Sequence, residues 1–111
     1  HIGLKDDKTL ARRSSAIDLV VGGHSHTKVS KIQWQKNKRG KSIPVVQAWA
    51  HGLAVGSLLL EVKKDEDVRV LDYKLHEVDQ TVTPDPGVAN FVRSSVKRRD
   101  MSFPFNWNEV I

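Results

Sequence analysis

Apolar and polar positions along the 111 residues switch between a helical and a strand-like spacing. Residues 4–15 predict a helix. Leu4, Leu10 and Ala11 give it a rough apolar face, Asp6 and Asp7 stand in its first turn, and Arg12 and Arg13 stand in its last. Each sign of charge suits the helix dipole where it stands. Ser14 and Ser15 end the pattern. The run Ile17-Asp18-Leu19-Val20-Val21 is too apolar for a half-exposed strand and predicts a buried one over 17–21. Val29, Ile32 and Trp34 partly alternate, which predicts a strand over 28–35. A basic turn containing Gly40 then returns the chain into residues 43–48 as the hairpin partner. Pro44 lies near the start of that partner, where a sheet tolerates proline.

Residues 49–56 are rich in small side chains and read as a loop. Residues 57–62 predict a strand, 64–67 an acidic turn, and 68–78 the antiparallel return strand. Leu71, Tyr73 and Leu75 alternate there with Asp72, Lys74 and His76, and Leu58, Leu60 and Val62 are expected on one face. The sequence Thr83-Pro84-Asp85-Pro86 breaks the sheet and starts a helix, since aspartate before proline suits a cap and first turn. Val88, Phe91, Val92 and Val96 share one side of that helix, which is expected to run to about residue 98. The tail 101–111 is aromatic without a period and is expected to pack on the domain or on a partner. Two parts follow: residues 1–80, and a helical linker and tail over 81–111.

Composition narrows the chemistry. No cysteine is present, so disulfides and thiolate metal sites are excluded, and any ion must be held by His, Asp, Glu, Asn or Gln. The net charge of +5 gathers at residues 36–41 and 97–99. With no aromatics interleaved among those basic residues to stack bases, a solvated turn and helix end are expected there, and nucleic acid is not an expected partner. No apolar run is long enough to span a membrane. The chain opens on His1 and reads as a piece of a longer protein, so the lack of a targeting segment says nothing about location.

The candidate chemistry lies in Gly22-Gly23-His24-Ser25-His26-Thr27, directly after the buried strand. Glycines let the backbone turn and approach a ligand, and two imidazoles one residue apart can converge on a metal pair or on a metal and a phosphate. Ser25 and Thr27 offer hydroxyls for supporting hydrogen bonds. Preceded by His1-Ile2-Gly3-Leu4 and a charged helix, and followed by Ile43-Pro44-Val45-Val46-Gln47-Ala48 with Gly52 and Gly56, this block resembles the second half of the catalytic domain of the 5'-nucleotidase family. That family belongs to the calcineurin-like metallophosphoesterases, and the resemblance covers residues 1 to about 90.

The resemblance implies an α/β (α+β) fold, part of a four-layer sandwich of two mixed sheets flanked by helices. It implies two divalent ions such as zinc, manganese or iron, with His1, His24 and His26 among their ligands and His24 and His26 divided between the two. It implies hydrolysis of phosphomonoesters, nucleotides above all, in a periplasmic, extracellular or cell-surface setting. The family's Asp-x-His, its bridging aspartate and its Asn-His pair do not occur in this chain. No catalytic residue is therefore assigned here, and the chain alone is expected to be inactive without the N-terminal half of the domain. His51 and His76 are expected to be surface residues, and Trp49 departs from the small residue usual in the family. Two alternatives stand beside this reading: a basic, non-enzymatic module that binds a polyanion or a protein, and a cyclic-nucleotide phosphodiesterase of the same fold.

Overall fold

The computed structural model describes residues 1–97. The elements run α1 (Leu4–Arg13), β1 (Val20–Gly22), β2 (Gln33–Lys36), β3 (Ser42–Gln47), β4 (Ala54–Glu61), β5 (Arg69–Glu77) and α2 (Pro86–Lys97). The result is a mixed α/β architecture with two helices and two sheets among the described residues. The chain divides into two units, His1–Val78 and Asp79–Ile111. The expectation for the aromatic tail lies outside the described residues.

In the first unit, β3 is the middle strand of a three-stranded sheet ordered β1-β3-β2. β1 runs parallel to it, with Val20 opposite Val45 and Gly22 opposite Gln47. β2 runs antiparallel, with Gln33 opposite Val45 and Lys36 opposite Ser42, as the hairpin reading requires. Pro44 is compatible with a middle strand because pairing with β1 begins only at Val45. Helix α1 covers this sheet. Ala11, Val20, Ile43 and Val45 form the buried core, with Leu4 and Ile17 packed against it. Val20 and Val45 are buried because α1 lies over them.

Several boundaries differ from the sequence reading, each for a local reason. The helix ends at Arg13 because Ser14 turns extended, and its hydroxyl accepts hydrogen bonds from the backbone N–H of Ala16 and Ile17. That turn occupies the start of the expected 17–21 strand, so pairing begins only at Val20. The 28–35 strand is reduced to one bridge, Lys28 to Ala48, and then β2.

β4 and β5 form an antiparallel ribbon, as expected, but β4 begins at Ala54, inside the predicted loop. A bulge inserts Leu71 opposite the Leu59–Leu60 step. Val70, Tyr73 and Leu75 are therefore half-buried while Leu71 turns outward, and Val62 lies exposed beyond the end of β4. Tyr73 Oη donates to the carbonyl of Val29 at 2.6 Å, and burial raises its pKa. Lys41 bridges Asp18 and Asp67, and those hydrogen bonds raise its pKa.

In the second unit, Asp85 caps α2: its carboxylate accepts from the backbone N–H of Val88 at 2.8 Å. This is the start that the Asp-Pro pair predicts.

Candidate functional site

Parallel strands β1 and β3 end side by side at Gly22 and Gln47, and the chain leaves both through loops that carry histidine. Pockets in α/β sheets form at such carboxyl ends, because the loops there can converge beyond the last paired residues. The two loops are tied together. Trp49 N–H donates to the Thr27 carbonyl at 3.2 Å, Val29 N–H donates to the Gln47 carbonyl at 3.3 Å, and Lys28 bridges to Ala48.

Left-handed backbone shapes both loops. His24, His26, Trp49 and His51 have φ of 75°, 52°, 64° and 52°, four of the five non-glycine residues with positive φ among the described residues. Such conformations are uncommon outside glycine and cost about 1–3 kcal/mol each when strained, so the surroundings must hold them. Gly22 and Gly23 are not among the positive-φ residues. Their role is room rather than turning. A Cβ on Gly22 would stand 2.1 Å from Asp7 Oδ2, and one on Gly23 would stand 2.7 Å from His1 Nδ1.

Gln47 does the holding. Its side chain is 1% exposed, and its amide oxygen accepts from Ser25 Oγ at 3.0 Å and from the Thr27 backbone N–H. Its amide nitrogen donates to the Gly23 carbonyl at 2.7 Å. Ser25 Oγ also accepts from the Leu4 N–H at 3.0 Å and contacts Thr27 Oγ1 at 2.9 Å. The two hydroxyls thus fix the loop to Gln47 and to the start of α1, and the imidazoles are left free of them. One buried amide satisfies three groups of a single loop, and each such bond contributes about 0.5–1.5 kcal/mol net. Asp7, 3% exposed, sits behind Gly22 with Oδ2 lacking a partner among the described residues.

The imidazoles form two pairs. His1 and His24 have ring centroids 5.2 Å apart at an interplanar angle of 74°. His26 and His51 have centroids 4.8 Å apart at 72°. Two imidazoles sharing one zinc, with Zn–N about 2.0–2.1 Å and a tetrahedral angle, hold their centroids about 5 Å apart. Both pairs lie near that separation, and both are edge-to-face ring contacts. Among the described residues, no group of three or more His, Cys, Asp or Glu is placed to hold a metal.

The structure brings together His1 with His24, and His26 with His51, and it places His76 elsewhere, exposed on β5 with its ring against Ser57 Oγ at 2.9 Å. Sequence reasoning missed Asp7, Gln47 and the proximity of His51. The one signal for Gln47 was a polar side chain closing the apolar run of β3.

No protein-family model matches the chain. Among curated proteins, it is 34% identical over 82 residues to the 5'-nucleotidase of Diplobatis ommata, covering 62% of this chain and 14% of that protein. It is 29% identical over 101 residues to the 5'-nucleotidase of Bos taurus, covering 79% of this chain and 18% of that protein. A trifunctional nucleotide phosphoesterase protein of Bacillus subtilis is 39% identical over 56 residues, 50% of this chain and 4% of its own length. The solved structure of the NAD nucleotidase of Haemophilus influenzae has the same fold, with a TM-score of 0.62 at 17% identity over 90% of this chain and 22% of that one. This chain spans less than a fifth of the length of these curated relatives. By sequence, and over that segment, it is similar to proteins named 5'-nucleotidase.

Proposed function

We propose that this chain supplies one wall of a two-metal phosphoesterase site that hydrolyses nucleotide monoesters, within a four-layer sandwich of two mixed sheets. The observation that carries the reading is the pair of histidine loops side by side at the carboxyl ends of β1 and β3. His1 and His24 would hold one divalent ion and His26 the other. Bound zinc, manganese or iron supplies Lewis acidity and a water nucleophile at neutral pH.

The chain's own part is to position. Gln47 and Ser25 fix the loop between the two histidines, and Gly23 makes room for His1. No general acid is assigned among these residues, and such a group typically contributes about 10²–10⁴ in rate. The chain alone is accordingly inactive in this reading. An extracytoplasmic setting belongs to the same proposal. It is supported by relatives named as snake venom enzymes, one from Gloydius brevicauda, while no described helix is long and apolar enough to cross a membrane.

The test combines zinc binding with phosphate release from nucleoside monophosphates in excess manganese or zinc. The 111-residue chain is expected to bind zinc weakly and to release phosphate no faster than the His24→Ala/His26→Ala variant. Supplementing it with the upstream segment of a 5'-nucleotidase should give metal-dependent turnover that either single substitution removes. Unchanged zinc affinity in the double variant would overturn the metal reading. Turnover by the chain alone, lost in that variant, would show that a general acid is present after all.

A further inference from the structure

Carboxylates are shared unevenly among the cations of this chain. Ion pairs among the described residues take up Lys28, Lys41, Lys63 and Arg69, and most of their partners lie on or beside the β4–β5 ribbon. None of those pairs reaches Lys5, Lys8, Arg12, Lys38 or Arg39. Two of these five are held by neutral groups instead. Lys8 Nζ donates to Gln33 Oε1 at 2.9 Å, and Arg12 Nη1 donates to Gln35 Oε1 at 2.7 Å. An amide oxygen fixes a cation in place without cancelling its charge. The two bonds also show that α1 and β2 run in the same direction, toward the turn that follows Lys36. Lys5, Lys8 and Arg12 share one helical stripe at i, i+3 and i+7, about 10 Å long at a rise of 1.5 Å per residue. Lys38 and Arg39 continue it on the turn beyond the strand. That turn is pinned by Asn37, 7% exposed, whose Oδ1 accepts from the N–H groups of Arg39 at 2.8 Å and Lys41 at 3.0 Å. The acids of α1 do not interrupt the stripe: Asp6 lies about 100° round the helix from Lys5, and Asp7 is buried.

We infer that this stripe is a binding surface for a linear sulfated polysaccharide, separate from the histidine loops. Sequence spacing reads residues 36–41 as a solvated turn; with α1 beside it, the turn becomes one end of an array of five uncompensated cations. Cations set in a line match anionic groups repeated along a chain, and the charge complementarity needs no base stacking. Single-stranded nucleic acid does need a stacking platform, and the alternation of β2 puts Trp34 on the face opposite Gln33 and Gln35, which hold Lys8 and Arg12. A lipid surface takes apolar anchors beside the charges. The exposed Leu10 of α1 lies about 160° round the helix from Lys8, on the wrong side to serve as one.

The test titrates heparin oligosaccharide into the 111-residue chain by calorimetry at rising sodium chloride. Two triple variants remove the same charge from different places: Arg12→Gln/Lys38→Gln/Arg39→Gln from the stripe, and Lys63→Gln/Lys64→Gln/Lys74→Gln from the ribbon. The stripe variant should bind at least about tenfold more weakly and with a shallower salt dependence, since fewer counterions are released. The ribbon variant should stay within about twofold of the unsubstituted chain. The double variant Lys38→Gln/Arg39→Gln leaves the bonds to Gln33 and Gln35 in place and should still weaken binding, which separates lost contact from lost fold. Equal losses in the two triple variants would mean that bulk charge alone attracts the polymer, and the stripe would be overturned. So would an unsubstituted chain that does not bind. Tighter binding of duplex DNA, or of phosphatidylserine vesicles, than of heparin at the same salt would overturn the sulfated-glycan assignment. None of these substitutions lies in the histidine loops, so the two-metal reading stands or falls separately.

Discussion

The sheet under α1 and the β4–β5 ribbon are built from similar sequences and live in different surroundings. β3 reads Ser-Ile-Pro-Val-Val-Gln, and its Ile43 and Val45 are fully buried. β4 reads Ala-Val-Gly-Ser-Leu-Leu-Leu-Glu, yet Val55 is 59% and Leu59 58% exposed. β3 has a strand on either side and α1 over it, whereas among the described residues β4 pairs with β5 alone. The ribbon is held to the rest of its unit by polar contacts in large part: Tyr73 to Val29, Lys28 to Glu77 and Lys41 to Asp67. Apolar residues in a strand therefore report what the strand could bury, and the elements that cover it decide whether it does.

The sharpest way to break this comparison is to truncate one residue in each region. Ile43→Ala should lower unfolding free energy by about 2–5 kcal/mol, as core truncations do. Leu59→Ala should change it by no more than about 0.5 kcal/mol, like other surface substitutions. Urea unfolding measures both, and equal losses would mean that the ribbon is covered in solution.

A second, smaller contrast lies in the glycines. Gly22→Ala forces a methyl group against Asp7 and should cost about 1–3 kcal/mol by overpacking. Gly56→Ala meets Ala48 Cβ at 3.7 Å and the Tyr73 ring at 3.8 Å, ordinary contact distances, and should be close to neutral. Matching losses in thermal unfolding would show that β4 is as tightly packed as the β1 terminus.

The smallest effect concerns the polar ties. Tyr73→Phe should cost about 0.5–1.5 kcal/mol, the net worth of one hydrogen bond. Burial raises the Tyr73 pKa above 10.0, and hydrogen bonds to Asp18 and Asp67 raise that of Lys41 above 10.5. In each case the unfolded chain loses its proton first as pH rises. Stability from these groups is complete below about pH 10 and declines through the folded pKa values above it. Urea midpoints at successive alkaline pH values should show that fall, and Tyr73→Phe should make it shallower.

Local pattern carried much of the fold. The β4–β5 turn and the α2 start were legible because alternation, acidic turn residues and an Asp-Pro cap are short-range signals. The bulge at Leu71 was not, since one extra residue on one strand leaves the period intact on either side of it. The Gly-Gly-His-Ser-His block marked the loop, but the reason for its glycines did not follow from sequence. It depends on α1 lying across β1, a contact between residues far apart in the chain. Gln47 and His51 were hidden for a related reason. A buried amide is informative only once the ends of β1 and β3 are known to meet, and the reach of His51 depends on the left-handed backbone at 49–52.

Gly22 and Gly23 accept Asp7 and His1 as a socket accepts a pin, and that has an evolutionary consequence. Any side chain at position 22 displaces the carboxylate at 7, and any at position 23 displaces the imidazole at 1. The partners lie 15 and 22 residues apart in the chain, so neither constraint is visible to a reader who moves along it one window at a time. Descent has to respect both at once. A side chain gained at position 22 or 23 makes the residue facing it shift, so changes at the pairs 7/22 and 1/23 are expected to be coupled.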